Sequence, residues 1–344
     1  MLKRKWILLL CLSLLPGCGE QLLEKPIADP AFAQQTEAIG STATQTAGAP
    51  ADSNEADSPS PTTDITKIPT PTATNTPGPP TPTKIPDTPT PTPTPSPPPF
   101  ISADSLDISN LSNKTLSWYF MKNNDHQPTR GADELDISKY DGHYLGDTSH
   151  KYIWLTFDEG YENGYTATIL DTLKEKGVHA AFFCVGTYIR DSPDLVKRMA
   201  NEGHVVADHT EDHPSLPDKS DQEVLDEIYG PAQRYKDLTG KELDRFLRPP
   251  SGDYSERTMY ITQQSGFKTI FWSFAYEDWL VDQQPGKDYA YKIVMDNLHN
   301  GEILLLHAVS SSDTEALPDI IDSIKAQGYE FKSLYDLPEI TTGS

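Results

Sequence analysis

Beyond residue 150, short runs of β-branched and aromatic residues alternate with longer segments that have helical periodicity. Most of these longer segments have the apolar spacing of amphipathic helices. A regular alternation of strand and helix is typical of parallel βα units, so the pattern predicts an α/β fold. The predicted strands are at 152–157, 180–185, 204–207, 246–247, 269–274, 303–306 and 331–334.

Capping residues set the ends of the predicted helices. Ser220 followed by Glu223 is a capping box that opens a long helix, and Gly240 ends this helix. Gly177 ends an earlier helix, because glycine adopts the left-handed backbone of a helix C-terminus without strain. The Gly-Pro pair at 230–231, inside the long helix, predicts a local irregularity.

Polar side chains able to act in catalysis follow five of the predicted strands at their carboxyl ends. They are, in chain order, Asp158 and Glu159, His209 and His213, Arg248, Asp278, and His307. In a β/α barrel the carboxyl ends of the strands meet at one face, where active sites are built. A doubly wound sheet places its site at one switch point, which fits this distribution less well. We therefore predict a distorted or incomplete (β/α) barrel of about seven parallel strands.

His209 and His213 are four residues apart, and neutral imidazoles at this spacing can converge on one divalent metal ion. Taken alone, such a pair is more typical of a solvated loop. The carboxylates expected at the same end of the barrel favour the metal site, since two histidines and one carboxylate leave a position open for water. The sequence therefore predicts a hydrolytic metal centre.

Amide hydrolysis also requires a base that takes a proton from water and an acid that supplies one to the leaving amine. Asp158 is the candidate base and His307 the candidate acid. We expect Arg248 to keep Asp158 ionised, and Asp278 to pair with His307 and raise its pKa. A surface position for Arg248 and an N-cap role for Asp278 are the structural alternatives. The backbone N–H of Ser251, in a loop stiffened by two prolines, is a candidate oxyanion donor.

The aromatic residues fall into two groups. Those inside the predicted strands, such as Trp154 and Phe182, are expected in the core. Trp279 and Tyr254 lie in loops beside the motif residues, where an aromatic ring can stack on a sugar. Packing in the core is the alternative for both. Cys184 lies within an apolar run and is expected to be a buried thiol.

The N-terminus has the pattern of a secretory signal, with a basic start, an apolar run at 6–15 and a break at Pro16. The run is too short to span a bilayer. Residues 15–18 are similar to a bacterial lipoprotein box, in which Cys18 is diacylated; an ordinary signal with an incidental cysteine is the alternative. We expect a lipid-anchored protein at the extracytoplasmic face of the bacterial membrane, in the cell wall space.

Residues 58–99 consist largely of proline and threonine. Such a segment cannot bury enough apolar surface to offset the entropy of ordering, so an extended stalk is expected. At about 3.1 Å per residue, its reach is up to about 130 Å. Composition leaves open whether the threonines carry sugars. The expected organisation is a signal peptide at 1–17, a lipid-anchored polar segment at 18–57, a disordered linker at 58–104, an N-terminal extension at 105–150 and the catalytic domain at 151–338.

The chain of 344 residues has a net charge of −23. An acidic surface of this kind repels phosphates, so the charge disfavours nucleic acid as a partner. Acidic surfaces otherwise favour solubility, and the charge indicates no more specific partner.

The motifs together resemble the polysaccharide deacetylases of the NodB-homology type, carbohydrate esterase family 4. The similar stretches are residues 156–159, 209–214, 248–250, 278–279 and 305–307. The resemblance implies that Asp158 is the base, that His307 is the acid, and that His209 and His213 bind the metal. Glu159 stands where most members have an aspartate that is the third metal ligand. The longer side chain implies either a shifted ligand or a site with two histidines.

Further stretches, at 160–165, 277–279, 307–310 and 315–317, are similar to the muramic δ-lactam de-N-acetylases of that family. This implies metal-dependent removal of acetyl groups from N-acetylmuramic acid in peptidoglycan, with zinc or another divalent transition ion. The expected partners are the glycan and the membrane, and a monomer is expected. Deacetylation of N-acetylglucosamine, chitin-type oligomers or acetylxylan is one alternative. A wall-binding module that has lost catalysis is an alternative of another class.

Overall fold

The structure is a computed structural model that describes residues 100–122 and 125–340. The expected signal peptide, the lipidation site at Cys18 and residues 58–99 of the expected stalk lie outside the described residues. Within the described part of the chain, no helix has the length and the apolar character needed to cross a membrane.

The folded unit begins earlier than the sequence indicated. Phe100 stacks on the ring of Tyr229, with the centroids 4.1 Å apart, and the backbone N–H of Ile101 donates to the Tyr229 hydroxyl at 3.1 Å. Ile101 and Leu106 also pack against the main core. Residues 100–104 therefore belong to the folded unit and not to the linker, because their apolar side chains cover a helix surface.

The strands of the described residues are short except at the centre of the sheet. They are β1 (Leu116–Ser117), β2 (Phe120–Met121), β3 (Arg130–Gly131), β4 (Gly142–His143), β5 (Tyr152–Glu159), β6 (Ala181–Cys184), β7 (Val205–Asp208), β8 (Phe246–Leu247), β9 (Asp253–Tyr254), β10 (Lys268–Ile270), β11 (Glu302–His307) and β12 (Glu330–Phe331).

The α-helices lie between the strands of the main sheet. They are α1 (Thr166–Lys176), α2 (Gly186–Asp191), α3 (Pro193–Asn201), α4 (Asp221–Thr239), α5 (Glu256–Gln264), α6 (Lys287–Asn297) and α7 (Ser311–Ala326). The short helix α2 was not predicted, because six residues are too few to show a helical pattern.

The main sheet is parallel, with the order β11-β5-β6-β7-β8-β10-β4, and β12 pairs with β5. The chain just after β10 also reaches β11. The N–H of Ser273 donates to the Ile303 carbonyl and the N–H of Leu305 donates to the Phe274 carbonyl, each at 3.0 Å. These bonds bring the two sides of the strand path together. The predicted incomplete (β/α) barrel of about seven parallel strands is confirmed.

The predicted caps are present. The Ser220 side chain accepts from the N–H of Glu223, and the Glu223 carboxylate accepts from the N–H of Ser220 at 2.8 Å. Gly177 and Gly240 end α1 and α4 with φ of 60° and 71°, in the left-handed region. Helix α4 runs through Pro231 without interruption, so the Gly-Pro pair does not break it.

The N-terminal extension supports the loop after β8. Strand β1 pairs antiparallel with β9, and β4 extends the main sheet beside β10. Trp118 stacks on Phe271 with ring centroids 4.4 Å apart, and its indole N–H donates to the Trp272 carbonyl at 2.9 Å. The N–H of Trp118 donates to the Gly252 carbonyl at 2.8 Å, which fixes the loop that carries Ser251.

Alternate residues of the strands supply two separate cores. Trp154, Phe183 and Ile270 pack in the barrel interior. Phe157 and Cys184 belong to the larger core between the sheet and the helices, so the expected burial of the thiol is confirmed. Because successive side chains of a strand point to opposite faces of the sheet, neighbouring residues of one strand enter different cores.

Candidate active site

Asp158 and Arg248 form a buried ion pair at the carboxyl end of β5. Arg248 Nη1 lies 2.6 Å from Asp158 Oδ1, and the two side chains are 0% and 7% exposed. The other guanidinium nitrogens also donate, Nη2 to Thr156 Oγ1 at 2.9 Å and Nε to the Ile270 carbonyl at 3.2 Å. With every side of its fork engaged, Arg248 holds the Asp158 carboxylate in one orientation. The alternative of a surface arginine is excluded.

Asp158 is surrounded by groups that favour its ionised form. Burial by itself raises the pKa of Asp158, but the Arg248 guanidinium above all outweighs this cost, and the pKa lies below its ordinary value. The carboxylate is therefore ionised at neutral pH and can accept a proton.

The tautomer of His209 is set by the loop after β8. His209 Nδ1 lies 2.8 Å from the Arg248 carbonyl oxygen. Because a carbonyl can only accept, Nδ1 carries the proton. Burial lowers the pKa of His209, in spite of the opposing effect of Asp158, so the ring is neutral. Its Nε2 therefore presents a lone pair, which points towards Asp158 Oδ2 at 3.5 Å.

The loop after β7 brings the second histidine next to the first. The rings of His209 and His213 are 4.8 Å apart at 73°. Thr210 and His213 have φ of 68° and 58°, a left-handed backbone that is strained in residues other than glycine. Burial and then His209 lower the pKa of His213 to about 3, so this ring is neutral as well.

Helix α4 supports this loop through residues that the sequence analysis missed. Glu227 Oε2 accepts from the N–H of Asp212 at 2.9 Å, and Arg234 Nε donates to Glu211 Oε1 at 2.7 Å. A Cβ at Gly230 would lie 2.5 Å from Glu211 Oε2, so the Glu211 carboxylate would have to shift if another residue replaced this glycine. The Gly-Pro pair inside a long helix was the available signal for this contact.

Glu159 lies on the other face of β5, because it follows Asp158 directly in the strand. Its Oε2 accepts from Thr166 Oγ1 at 3.4 Å on the helix side. Burial, and next the nearby Glu162, raise the pKa of Glu159 well above its ordinary value. A neutral carboxyl group on this face does not join the two imidazoles. The structure thus separates Glu159 from the histidines, contrary to the predicted set of three ligands.

His307 and Asp278 form the second pair of the site. His307 Nδ1 lies 2.7 Å from Asp278 Oδ1, and the backbone N–H of His307 donates to Asp278 Oδ2 at 2.6 Å. The Asp278 side chain is fully buried, whereas that of His307 is 13% exposed. Asp278 fixes the orientation of the imidazole ring through Nδ1. Asp278 lies nine residues before Lys287, the first residue of α6, so the alternative that Asp278 is an N-cap is wrong.

The two candidate sugar-stacking residues have different environments. Trp279 lies beside His307, with ring centroids 5.2 Å apart, and its buried Nε1 has no hydrogen-bond partner among the described residues. Its contact with a sugar stays a prediction. Tyr254 is 1% exposed and packs on Phe271 in the cluster around Trp118. The prediction for Tyr254 is wrong, because the N-terminal extension covers this ring.

Ser251 lies at the turn that follows Arg248 and the two prolines. Its φ is 54°, and the N–H of Gly252 donates to the Pro249 carbonyl at 3.1 Å. A serine in the left-handed region costs of the order of 1 kcal/mol or more, and such strain clusters at functional sites. The oxyanion role of the Ser251 N–H stays a prediction.

The chemistry of the two imidazoles fits a divalent metal ion. Nε2 of His209 and Oδ2 of Asp158 are both acceptors in the protonation states derived above, and facing lone pairs favour a cation between them. Neutral imidazoles suit zinc and related transition ions. Across residues 100–122 and 125–340, no three His, Cys, Asp or Glu side chains are arranged to hold an ion together. The fit therefore rests on the histidine pair.

Comparisons with known proteins agree with this geometry. A family model described as polysaccharide deacetylase matches residues 145–270. The peptidoglycan-N-acetylmuramic acid deacetylase PdaA of Bacillus subtilis is 44% identical over 227 residues, which cover 65% of this chain and 86% of the relative. A solved structure of Bacillus subtilis PdaA, a family 4 carbohydrate esterase, has a TM-score of 0.64 at 43% identity, covering 66% of this chain and 98% of that one.

Two solved structures from Bacillus anthracis are also similar. A family 4 carbohydrate esterase is 40% identical with a TM-score of 0.56, and the match covers 67% of this chain and 99% of that one. A family 4 pseudoenzyme is 29% identical with a TM-score of 0.54, covering 57% and 68%. The barrel, the two buried pairs and these relatives lead to one conclusion: the chain belongs to the polysaccharide deacetylases, carbohydrate esterase family 4.

Proposed function

We propose that the protein is a metal-dependent hydrolase that removes the acetyl group from N-acetylmuramic acid in peptidoglycan. The observation that carries the proposal is the presence of two separately oriented proton-transfer groups at one end of the barrel. Asp158 is held by Arg248, and His307 is held by Asp278. An amide hydrolase needs both a base and an acid.

Asp158 acts as the base. A water molecule adds to the acetyl carbonyl carbon, and Asp158 takes the proton that the water loses. The pKa of Asp158 lies below its ordinary value because the Arg248 guanidinium offsets the cost of burial. Arg248 keeps the carboxylate in place during the transfer, since its guanidinium is itself fixed by Thr156 and the Ile270 carbonyl.

His307 acts as the acid. As the carbon–nitrogen bond breaks, Nε2 of His307 gives its proton to the leaving nitrogen, so that the products are acetate and the free amine of the sugar. Asp278 accepts the hydrogen bond from Nδ1 and stabilises the protonated ring before the transfer. The N–H of Ser251, in the turn with left-handed backbone that follows the two prolines, is the proposed donor to the oxyanion.

His209 and His213 are the residues that would hold the metal, and zinc fits them best. When bound, the ion supplies Lewis-acid polarisation of the acetyl carbonyl. Burial keeps both imidazoles neutral, so that each has a nitrogen lone pair for a metal ion. The hydrogen bond from Nδ1 of His209 to the Arg248 carbonyl fixes the tautomer of His209. Such backbone partners orient metal-binding histidines.

The choice of muramic acid rests on the relative with 86% of its length covered, whose name gives N-acetylmuramic acid as its substrate. Other relatives, at about a third identity, are N-acetylglucosamine and chitooligosaccharide deacetylases. The ring of Trp279 beside His307 supports a sugar next to the proposed acid. We further propose a monomer that acts on the glycan and is anchored in the membrane through lipid on Cys18, with residues 58–99 as a stalk towards the wall.

The non-catalytic reading has one observation in its favour, the similarity to a family 4 pseudoenzyme. The two buried pairs weigh against it. Burying the Arg248–Asp158 ion pair costs desolvation free energy that the attraction between the two charges only partly repays. Binding of a glycan does not require such a pair, whereas a hydrolase requires an oriented base. We therefore keep the enzyme as the proposed function.

The test is digestion of purified peptidoglycan with the full-length protein loaded with zinc. After muramidase treatment, fragment-ion mass spectrometry should show the loss of one acetyl group on muramic acid. Loss of the acetyl group on glucosamine alone would support an N-acetylglucosamine deacetylase. No loss on any glycan would support a wall-binding module without catalytic activity. Asp158→Asn should reduce the rate by at least about 10²-fold. Asp171→Asn, an exposed aspartate paired with Arg198, is the matched control and should retain the full rate.

A further inference from the structure

Behind His307 lies a second layer of buried polar groups. Both carboxylate oxygens of Asp278 are already bound to His307, one by the backbone N–H at 2.6 Å and one by Nδ1 at 2.7 Å. Asp278 is completely buried. Whatever else touches its carboxylate therefore acts directly on the group that orients the acid.

Asp313, in the first turn of α7, reaches Asp278 from behind. Its side chain is 1% exposed, its Oδ1 accepts from the Tyr276 hydroxyl, and its buried Oδ2 receives no hydrogen bond from a donor among the described residues. Two neighbouring carboxyl groups can share a hydrogen bond only when one of them carries a proton. A proton on Oδ2 of Asp313, donated to the neighbouring Asp278 carboxylate, would satisfy this oxygen.

The segment that carries Asp278 is clamped to the helix that carries Asp313. Gln284 Nε2 donates to the Asp278 carbonyl at 2.7 Å, while its Oε1 accepts from Ser310 Oγ at 2.7 Å and from the N–H of Ser312 at 3.1 Å. Ser310 is also the N-cap of α7 and accepts from the N–H of Asp313 at 3.0 Å. The two carboxyl groups are thus held against each other by fixed backbone.

We propose that Asp313 is a positioning residue for His307, a neutral carboxyl group that donates its proton to the Asp278 carboxylate. The proposal rests on the proposed function and adds a residue to the site. By keeping one negative charge beside the imidazole instead of two, Asp313 prevents His307 from holding its proton too strongly to release it to the leaving amine. The order of the relay is Tyr276, Asp313, Asp278, His307.

The surroundings favour the proton on Asp313. Burial, and next the charge of Asp278, raise the pKa of Asp313 well above its ordinary value. Within the described part of the chain, the titratable side chains next to Asp313 are Tyr276 and Asp278, and His307 lies on the other side of Asp278. On the adjoining helices, Lys287 pairs with Asp319 at 2.7 Å in exposed positions. Asp278, in contrast, accepts two hydrogen bonds from His307.

The test compares two substitutions of Asp313 in the full-length, zinc-loaded protein, with the pH profile of kcat/KM on muropeptides as readout. Asp313→Asn mimics the neutral acid, since its amide can donate to Asp278 and accept from Tyr276. We expect its rate within about threefold of wild type and an alkaline limb that does not move. Asp313→Ala should lose about tenfold or more and move the alkaline limb upwards by about one pH unit.

Asp322→Asn on the same helix is the matched control, because this exposed aspartate pairs with Lys176 and lies away from Asp278 in the helix. A downward shift of the alkaline limb in Asp313→Asn would mean that the native residue is ionised, and would overturn the proposal. Equal losses in both Asp313 variants would also overturn it, since they would indicate a purely structural role.

Infrared spectroscopy separates this inference from the proposed function. A protonated buried carboxyl group has a carbonyl band that is absent in a carboxylate. The difference spectrum of wild type minus Asp313→Asn at neutral pH should contain that band even if the wild-type protein deacetylated no glycan. Its absence would refute the neutral Asp313, whereas an inactive wild type with the band present would refute only the enzyme.

Discussion

Asp158 and His307 are direct partners in the register of β5 and β11, two adjacent parallel strands. The proposed base and the proposed acid are therefore fixed relative to each other by the sheet itself. Each is then oriented by a residue from a loop, Arg248 for Asp158 and Asp278 for His307. Asp158 is thus paired with a cation, whereas His307 is paired with a carboxylate.

The first prediction concerns the fork of Arg248. Arg248→Lys keeps the charge but can replace only part of the bonds to Asp158, Thr156 and the Ile270 carbonyl. We expect a loss of about 2–3 kcal/mol in the free energy of unfolding, measured with urea, and a clear fall in kcat. Arg198→Lys at the surface is the control and should change either quantity little. A fully stable, fully active Arg248→Lys would contradict the role assigned to the fork.

The second prediction concerns the metal. Chelator-treated protein should bind about one equivalent of zinc in calorimetry. The two histidines should release few protons on binding, because burial already keeps both rings neutral. His213→Ala should weaken binding by at least about tenfold. Unchanged affinity in His213→Ala would exclude this histidine as a ligand.

Glu159→Gln provides the matched comparison for that experiment. The native carboxyl group is neutral and faces Thr166 on the helix side, so the amide should leave zinc affinity unchanged. Its cost in stability should be within about 1 kcal/mol, since a neutral group of the same shape replaces it. A large loss of zinc affinity would show that Glu159 is a ligand after all.

The third prediction concerns Glu302, at the amino end of β11 and far from the site in the strand. Burial raises the pKa of Glu302 to about 8, so the folded state keeps a proton that the unfolded chain loses. Its contribution to stability is fully present below about pH 4.5 and is lost as the pH rises to about 8, on the order of 5 kcal/mol in total.

Glu302→Gln should remove this component, so that the difference in unfolding free energy between wild type and variant changes with pH over that window. Other buried acids, Asp208 among them, contribute to the wild-type curve, and the difference isolates Glu302. Glu330→Gln, an exposed residue of β12 paired with Lys332, is the control and should give a flat difference. A flat difference for Glu302→Gln would mean that the residue is ionised in the folded protein.

The fourth prediction concerns the proposed anchor and stalk. Cys18→Ser should release active protein from the membrane fraction, because the residues of the site all lie between Asp158 and His307. Deletion of 58–99 should leave the rate on soluble muropeptides unchanged and reduce deacetylation of intact wall in cells, since the reach falls by up to about 130 Å. An equal loss on both substrates would contradict the stalk.

Sequence alone determined the local parts of this structure. The apolar runs located the long strand β5 and the ends where Asp158 and His307 lie, because strand periodicity and burial are written in consecutive residues. Ser220 and Gly240 marked the ends of α4 for the same reason, since a cap is decided within one turn. The motif residues and their family resemblance then indicated a hydrolytic site.

Tertiary structure decided what depends on distant residues. Arg248 meets Asp158 across 90 positions of the chain, and only closure of the sheet brings them together. Sequence placed Glu159 with the histidines, whereas strand alternation in the folded sheet turns it to the helices, where burial keeps it neutral. Tyr254 became core because the N-terminal extension covers it. Asp313 carried no recognisable signal, since its role exists only through contact with Asp278, and such contacts follow from packing that no short stretch of sequence encodes.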